Sequence, residues 1–321
     1  MSGGEGPRFW LAQDVLGRDT KLPLTEEEFR DLRLARALLL DQIGAEGSLA
    51  LLLENYVEFQ ETLLRGALES SLFTHSYSGA PIGHVHVVDR RLTNLLASCR
   101  SYIDSVKRTT SSRFGPDSDE LQRLKGWFSE EYDARIGYRA MEALRNYALH
   151  RGRAVHQLAT TSWWVDDKRT RMRLNMYPSV KPAELRRDGK FKKAVLEDLS
   201  ELGEVVDLGP LVDEYVTGIA AVHRKNRESL QAEIEKAEDL LMSAITKYHT
   251  EGGGDVIGLA AVQEGDGGRW LEIEHINEGL VTHRRKLAER HRFIRDLVRQ
   301  FVTSEPKETP GHHRMGRPQG G

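Results

Sequence analysis

Arg145, Asn146 and His150 form a short motif whose side chains suit acid–base chemistry at a phosphate group. The imidazole of histidine titrates near neutral pH and can accept or donate a proton. The guanidinium group of arginine stays charged and offers fixed donors to phosphoryl oxygens as negative charge develops on them. Because Asn146 and His150 are four residues apart, a helix would place them on one face, where the amide can orient the imidazole or hold a phosphate oxygen.

The spacing between Arg145 and His150 sets a geometric condition on this motif. Five residues correspond to about 140° around an ideal helix, so one rigid helix does not aim both side chains at the same phosphate. Either the helix ends before His150, as Gly152 permits, or two copies of the chain face each other. The residues alone leave both arrangements open.

The order of an arginine, a polar residue, three further residues and a histidine resembles the signature of the HEPN superfamily. The resemblance extends, more loosely, to the helices predicted between residues 89 and 152. Catalytic members of that superfamily are metal-independent ribonucleases. The resemblance therefore implies a HEPN-like helical bundle and an endoribonuclease that cuts single-stranded RNA. Arg145 and His150 would be its principal catalytic residues, and Asn146 would orient them.

The resemblance also implies how such a site is assembled and used. HEPN active sites are usually formed across a dimer, so we expect a homodimer through the motif helix, with one motif from each subunit. The RNA would supply its own 2′-hydroxyl nucleophile, and no metal ion or other cofactor is expected. Related enzymes act as toxins or anti-phage effectors, which implies antitoxin or defence-system partner proteins. Some HEPN toxins carry a tyrosine, the target of a silencing modification, where this chain has Gly152, so that control is not expected.

The motif lies in a strongly basic segment of an otherwise acidic chain. Residues 134–193 contain 15 Lys or Arg and 5 Asp or Glu, a local net charge of +10, whereas the whole chain carries −3. This charge invites an anionic partner, with a solvated basic face as the alternative. Trp163, Trp164 and Tyr177 lie among the cations, which suits single-stranded RNA unless the rings pack the segment onto helices. The candidate RNA-binding residues are Arg151, Arg153, Lys168, Arg169, Arg171 and Arg173.

Other kinds of site find little support in the sequence. It contains no Gly-x4-Gly-Lys phosphate loop, no His-Glu-x-x-His motif and no Gly-x-Ser-x-Gly elbow. His84 and His86 have no carboxylate or thiol close by in sequence, so we predict no metal site. Residues 223–227 are interpreted as a solvated helix face. Cys99, the single cysteine, lies on an apolar stripe and is predicted to be a core residue. With no apolar run of 18 residues and no visible signal peptide, a cytoplasmic protein without membrane contact is expected.

Apolar periodicity predicts a mainly α-helical chain with a few short strands. A capping box at Thr25 and Glu28 begins a helix that Gly44 would end, and another helix follows over residues 48–73. Further helices are predicted over residues 89–108, 119–128, 132–150, 210–249 (one helix or two) and 278–302. Hairpins are predicted within residues 155–176 and 256–276, and residues 75–88 are predicted to be a connection.

These elements predict five successive regions. They are an N-terminal helical segment (1–45), a HEPN-like helical bundle (46–155), a basic β-hairpin and loop (156–195), a long-helix region with a small hairpin (196–303) and a disordered tail (304–321). Two other functions stay open. The chain could be a non-catalytic HEPN-like subunit that binds nucleic acid or nucleotide, or that acts as a sensor or adaptor. It could also be a helical protein that oligomerises through the stripe carrying Leu241 and Ile245.

Overall fold

The computed structural model describes residues 8–72, 82–252, 254–292, 294 and 296–299. Its fold is mainly helical with two small antiparallel sheets. The helices are α1 (Glu26–Leu72), α2 (Ile82–Phe114), α3 (Asp119–Ala134), α4 (Ile136–His150), α5 (Pro182–Arg187), α6 (Lys193–Leu202), α7 (Gly209–Ser229), α8 (Gln231–Glu251) and α9 (Glu278–Arg290). The strands are β1 (Arg8–Gln13), β2 (Lys21–Leu24), β3 (Gln157–Trp164), β4 (Met172–Val180), β5 (Val206–Asp207), β6 (Leu259–Glu264) and β7 (Trp270–His275). Within these ranges, no helix combines the length and apolar character needed to cross a membrane.

The first described residues form strands, so the helical prediction for residues 1–45 is wrong for 8–13 and 21–24. β1 pairs with β2 on one side and β6 on the other, in a four-stranded sheet of order β2–β1–β6–β7. Leu11 of β1 lies opposite Ala261 of β6, and both are buried. The partner strand lies about 250 residues along the chain, where no local pattern can reveal it. The second sheet has the order β3–β4–β5.

α1 is one continuous helix of 47 residues. It begins at the predicted capping box: the Thr25 hydroxyl accepts a hydrogen bond from the Glu28 amide at 3.1 Å, and the Thr25 amide donates to the Glu28 carboxylate at 2.7 Å. The end predicted at Gly44 is wrong, because apolar burial on both sides of it outweighs the low helix propensity of glycine. The boundary predicted between residues 45 and 46 therefore falls inside α1.

The destabilising effect of a glycine inside α1 can be measured at Gly47. It is exposed within α1, and a Cβ atom added there would meet no atom within 4 Å. Gly47→Ala is expected to raise the free energy of unfolding by about 0.5–1 kcal/mol, as measured by urea denaturation. Gly137→Ala in α4 is the control and should destabilise, because its Cβ would collide with the backbone carbonyl oxygen of Leu211. A Gly47→Ala chain no more stable than the parent would contradict the prediction.

Two apolar cores lie along α1, one for each half of the helix. Phe29 and Leu39 of the first half pack with α8 and the four-stranded sheet. Leu52 and Phe59 of the second half pack with α2, α4 and α7. Cys99 is fully buried in this second core, as predicted, and burial raises the pKa of its thiol. The single helix α1 thus belongs to both cores.

The long helical pattern over residues 210–249 consists of two helices, α7 and α8, which meet at Leu230. Leu241 is fully buried and Ile245 is 9% exposed, in the core that α8 forms with α1 and the four-stranded sheet. This stripe is covered within the chain. The hypothesis of oligomerisation through it is therefore wrong.

Other predicted boundaries also shift. α2 begins at Ile82, so residues 82–88 are helical rather than a connection, because Val88 continues the buried stripe of Leu92. The loop predicted after Met176 is strand as far as Val180, since β4 pairs there with β5. α9 ends at Arg290 instead of near residue 302. The predicted connection at 75–81 and the predicted tail at 304–321 lie outside the described residues.

Candidate functional site

The motif Arg145–Asn146–His150 lies in the last turns of α4. The helix includes His150 and is capped by Arg151, whose amide donates to the Tyr147 carbonyl at 2.9 Å. The arrangement in which the helix ends before His150 is therefore wrong. Arg145 and His150 keep their helical angular separation, and they point to different sides of α4.

Asn146 and His150 line an open groove of about 580 Å³, which we call the α4 groove. One wall is the exposed face of α4, and the other is formed by the connection between α5 and α6. Its cations are Arg151, Lys190 and Lys192, its carboxylates are Glu142 and Asp188, and its aromatic rings are Tyr132, Tyr147 and Phe191. The groove thus places a titratable imidazole and an amide beside cations and flat rings.

Arg145 is not among the residues that line the α4 groove. Its Nη2 atom donates a hydrogen bond to Oδ1 of Asn146 at 2.7 Å, so Arg145 contacts a residue of the groove without lining the groove itself. The Nε–H of Arg145 is buried and meets no acceptor among the described residues. Buried donors are usually paired, with protein groups or with water, so this N–H can bind a water molecule or a group from outside the chain.

The charges along the α4 groove differ in how far they are already neutralised. Arg151 binds both carboxylate oxygens of Asp188 at 3.1 Å. The ammonium group of Lys192 donates to the Tyr132 hydroxyl and lies 4.8 Å from the centre of that ring. Lys190 is exposed and pairs with no other described residue. Lys190 is therefore the cation of the groove that is most available to an anion.

Glu142 lies one turn before Asn146 on the same face of α4. It accepts a hydrogen bond from the buried Tyr215 hydroxyl at 2.5 Å, and Arg100 lies 3.7 Å from its other oxygen. Burial raises the pKa of Tyr215, with Cys99 and Glu142 adding to the effect, so this phenol remains a neutral donor. Glu142 is therefore held by two described side chains where it lines the groove, and sequence reasoning had assigned it no role.

His150 itself is exposed, and no hydrogen bond or ion pair joins it to another described residue. Its ring is therefore free to meet a substrate. Burial, together with Asp188 and Glu184, raises the pKa of the neighbouring Tyr147. Tyr147 therefore stays a neutral phenol in the α4 groove.

The basic hairpin predicted from the sequence is present as β3, β4 and the turn at residues 165–171, which together we call the basic ribbon. Asp166 closes the turn by accepting from the Thr170 amide at 2.8 Å and from its hydroxyl at 2.7 Å. Trp163 and Trp164 are 45% and 49% exposed, so the interpretation that both rings pack onto the helices is wrong. Arg173 stacks over Trp163 at 5.9 Å.

The six candidate RNA-binding residues fall into two groups. Arg151 and Arg153 follow α4 directly, whereas the other four lie on the basic ribbon, whose strands extend about 25 Å at roughly 3.3 Å per residue. The ribbon residues are Lys168, Arg169, Arg171 and Arg173. Arg171 lies 3.7 Å from Asp166, while the side chains of Arg153, Lys168 and Arg169 are exposed. The structure therefore offers two separate basic surfaces.

Metal ligands are not assembled in the part of the chain that the structure describes: no group of three or more His, Cys, Asp or Glu side chains is placed to hold an ion. His84, which was considered with His86, lies 3.0 Å from the carboxylate of Glu69 instead. Both histidines belong to α2 rather than to a strand.

A buried polar cluster was missed by the sequence analysis. His223 is 4% exposed, so the interpretation of residues 223–227 as a solvated face is wrong at this position. Its Nε2 atom contacts Glu46 at 3.1 Å, and its Nδ1 atom contacts the Tyr102 hydroxyl at 2.9 Å. Glu46 also binds His291 Nδ1 at 2.6 Å and Arg227 Nη1 at 3.2 Å. We call these five residues the junction network, because they join α1, α2 and α7 to the end of α9 between the two cores.

One pattern in the sequence could have indicated this cluster. Ile219, Val222 and His223 share one helical face, so the buried face of α7 includes the histidine.

No protein-family model, no curated protein and no solved structure matches this chain.

Proposed function

We propose that this chain is a metal-independent endoribonuclease that binds single-stranded RNA in the α4 groove and cleaves it with the Arg145–Asn146–His150 motif. The observation that carries the proposal is that Asn146 and His150 line one open groove beside an unpaired cation, Lys190. The phosphate groups of RNA can bind the cations of the α4 groove, and unstacked bases can stack on the rings of Tyr147 and Phe191. The basic ribbon, with its exposed tryptophans, would extend the binding surface along the RNA.

The proposed reaction uses the RNA's own hydroxyl group as the nucleophile. His150 accepts the proton of the 2′-hydroxyl while that oxygen forms a bond to the adjacent phosphorus. The bond from phosphorus to the 5′-oxygen breaks, and the leaving oxygen takes up a proton from water. The products are a 2′,3′-cyclic phosphate and a 5′-hydroxyl end. Arg145 stabilises the negative charge that develops on the phosphoryl oxygens. Asn146, which binds Arg145 and shares one face of α4 with His150, orients these two side chains.

A homodimer through α4 would complete this site. Within one chain, Arg145 binds Asn146 but does not itself line the groove that His150 lines. Leu149, on the side of α4 next to Arg145, is 51% exposed, and the buried Nε–H of Arg145 meets no acceptor in the described chain. A second copy packed on this face would cover the leucine and bring a second motif to the first, through a two-fold axis.

Leu149→Asn is expected to weaken the homodimer at least tenfold and to reduce RNA cleavage in parallel, because it places an amide in an apolar contact. Sedimentation across a concentration series measures the dimer, and the same samples give the cleavage rate. Leu64→Asn is the matched control, since Leu64 is 55% exposed on α1. A parent chain that sediments as a monomer while cutting RNA would contradict the prediction.

A second candidate is a non-catalytic module that binds RNA or nucleotide as part of a larger system. It is favoured by the contact that turns Arg145 towards Asn146 instead of into the groove. Labelled single-stranded RNA incubated with the chain in EDTA separates the candidates. Cleavage supports the ribonuclease, and saturable binding without cleavage supports the module. Absence of both would contradict the two candidates together.

In a cell, we propose that such a ribonuclease acts as a toxin or as an effector of anti-phage defence, held in check by an antitoxin or another protein of the same system. An enzyme with an open groove and a general RNA-binding surface would damage host RNA unless it were restrained. Growth arrest on expression of the parent chain, relieved by His150→Ala, tests this role.

A further inference from the structure

Five arginines converge on a second cleft, of about 790 Å³, which we call the arginine cleft. It lies between the end of α7 and α9, and it shares no residue with the α4 groove. The arginines are Arg224, Arg227, Arg284, Arg285 and Arg292. The acidic residues that line the same cleft are Glu228 and Glu289, both exposed.

Carboxylates behind the arginine cleft hold three of these guanidinium groups in place. Glu238 is 3% exposed and accepts from Arg284 Nε at 2.5 Å and from Arg285 Nε at 2.8 Å. Arg227 is held by Glu46 at 3.2 Å and by the Ala288 carbonyl at 3.1 Å. Each guanidinium group has five N–H donors, so these contacts fix its position while leaving donors over. Side chains that are already ordered lose little entropy when a ligand binds.

The residues that line the cleft carry an excess of positive charge. Five arginines line it together with two carboxylates, Glu228 and Glu289, while Glu46 and Glu238 bind three of the arginines from behind and Asp239 acts on Arg285 through its charge. Arg224 is exposed and has no hydrogen bond or ion pair with another described residue. Glu289 makes its contact with Arg292 at 3.5 Å from a side chain that is 69% exposed, so it can turn away into solvent. An anion can therefore enter between fixed arginines and replace Glu289.

We propose that the arginine cleft binds a small molecule that carries two or more linked phosphate groups. Guanidinium groups fixed side by side match phosphate oxygens in pairs, which favours phosphate over a single carboxylate. The volume lies within the range of roughly 300–1,000 Å³ that small-molecule sites occupy, and it exceeds what one phosphate would fill. This inference is independent of the proposed ribonuclease activity.

Such a ligand would act on the packing of the two cores. Arg227 belongs both to the arginine cleft and to the junction network, and it stands three residues before Leu230, where α7 meets α8. A polyphosphate bridging Arg227 to Arg284 and Arg285 would tie α7 to α9. The folded chain is therefore stabilised when the ligand binds, since the unfolded chain has no such cleft.

Calorimetric titration of the full chain at physiological salt tests the proposal, with sodium triphosphate and adenosine triphosphate as separate probes. We expect saturable binding of triphosphate, weaker binding of orthophosphate and a rise in Tm. Arg224→Glu should weaken triphosphate binding at least tenfold. Arg187→Glu is the control, because Arg187 is exposed on α5 and the charge change is the same. Equal affinity for both triphosphates assigns recognition to the phosphate chain, and tighter binding of the nucleotide adds a contact to its base; both support the proposal.

Three results would overturn it. They are no saturable binding of either triphosphate, equal affinity of the parent and Arg224→Glu, or an equal loss in the Arg187→Glu control. If Arg224→Glu instead weakens binding of single-stranded RNA while triphosphate does not bind, the cleft is an RNA surface and the small-molecule proposal is wrong. Cleavage of RNA is not a readout here, so failure of this proposal leaves the α4 groove untouched.

Discussion

Replacing His150 by alanine is expected to abolish detectable RNA cleavage, with a loss of roughly 10²–10⁴-fold, the contribution typical of a general acid or base. The fold should be unaffected, because His150 is exposed and makes no contact with another described polar side chain. The rate is measured on labelled single-stranded RNA in EDTA, and circular dichroism checks the fold. His283→Ala is the matched control, since His283 is an exposed histidine of α9 outside both clefts.

In the same assay, alanine at either of the other two motif residues should reduce the cleavage rate as much as His150→Ala does, or less. Arg145→Ala should be comparably inactive, because no other charged group takes its place on the phosphoryl oxygens. Asn146→Ala should lose less, since water can replace part of an orienting amide. RNA with 2′-deoxyribose at the cut position should resist, and the products should end in 2′,3′-cyclic phosphate. Cleavage that survives His150→Ala, or that requires added magnesium, would assign the activity to other groups.

Replacing Glu46 by glutamine should destabilise the protein by about 3–5 kcal/mol, the range for breaking a buried charged cluster by removing one partner. Glu46 is 2% exposed and binds His223, His291 and Arg227 at once. The neutral amide would leave Arg227 without its counter-charge. Urea denaturation measures the loss. Glu54→Gln is the control, because the contact of Glu54 with Arg290 at 3.3 Å is exposed and should contribute at most about 1 kcal/mol.

The same carboxylate predicts how stability depends on pH. Burial alone would raise the pKa of Glu46, but hydrogen bonds from His223 and His291 and the charge of Arg227 outweigh it and lower the pKa to about 2. The stabilisation is present above the ordinary pKa of about 4.5 and is lost as the pH falls from there towards 2. At about 1.4 kcal/mol for each pH unit, the loss is roughly 3 kcal/mol. An equally steep acid loss in Glu46→Gln would contradict this origin.

The motif geometry could be foreseen from the sequence, because it depends only on helical angles. The separation of Arg145 from His150 and the shared face of Asn146 and His150 follow from 100° per residue once α4 is recognised as a helix. The capping box at Thr25 was equally local. The sequence could not show that Gly44 stays inside a helix, since that depends on apolar residues supplied by two cores. It also gave no means of finding the hydrogen-bond partners of His223, which come from α1 and α2.

β1 pairs in one sheet with β6, a strand far along the chain, and this fixes an order of events during synthesis. β1 leaves the ribosome early, but β6, its partner, follows roughly 245 residues later. At about 5–20 residues per second, that interval is roughly 10–50 s. The core that contains Leu49 to Val222 can begin to close during this time, since its buried residues emerge before β6 and only Ile294 and Leu297, which pack against it, come later. β1 and the first half of α1 must meanwhile keep an unpaired edge and an apolar face in water. A nascent chain stalled before β6 is therefore the form of this protein most exposed to chaperones and to aggregation.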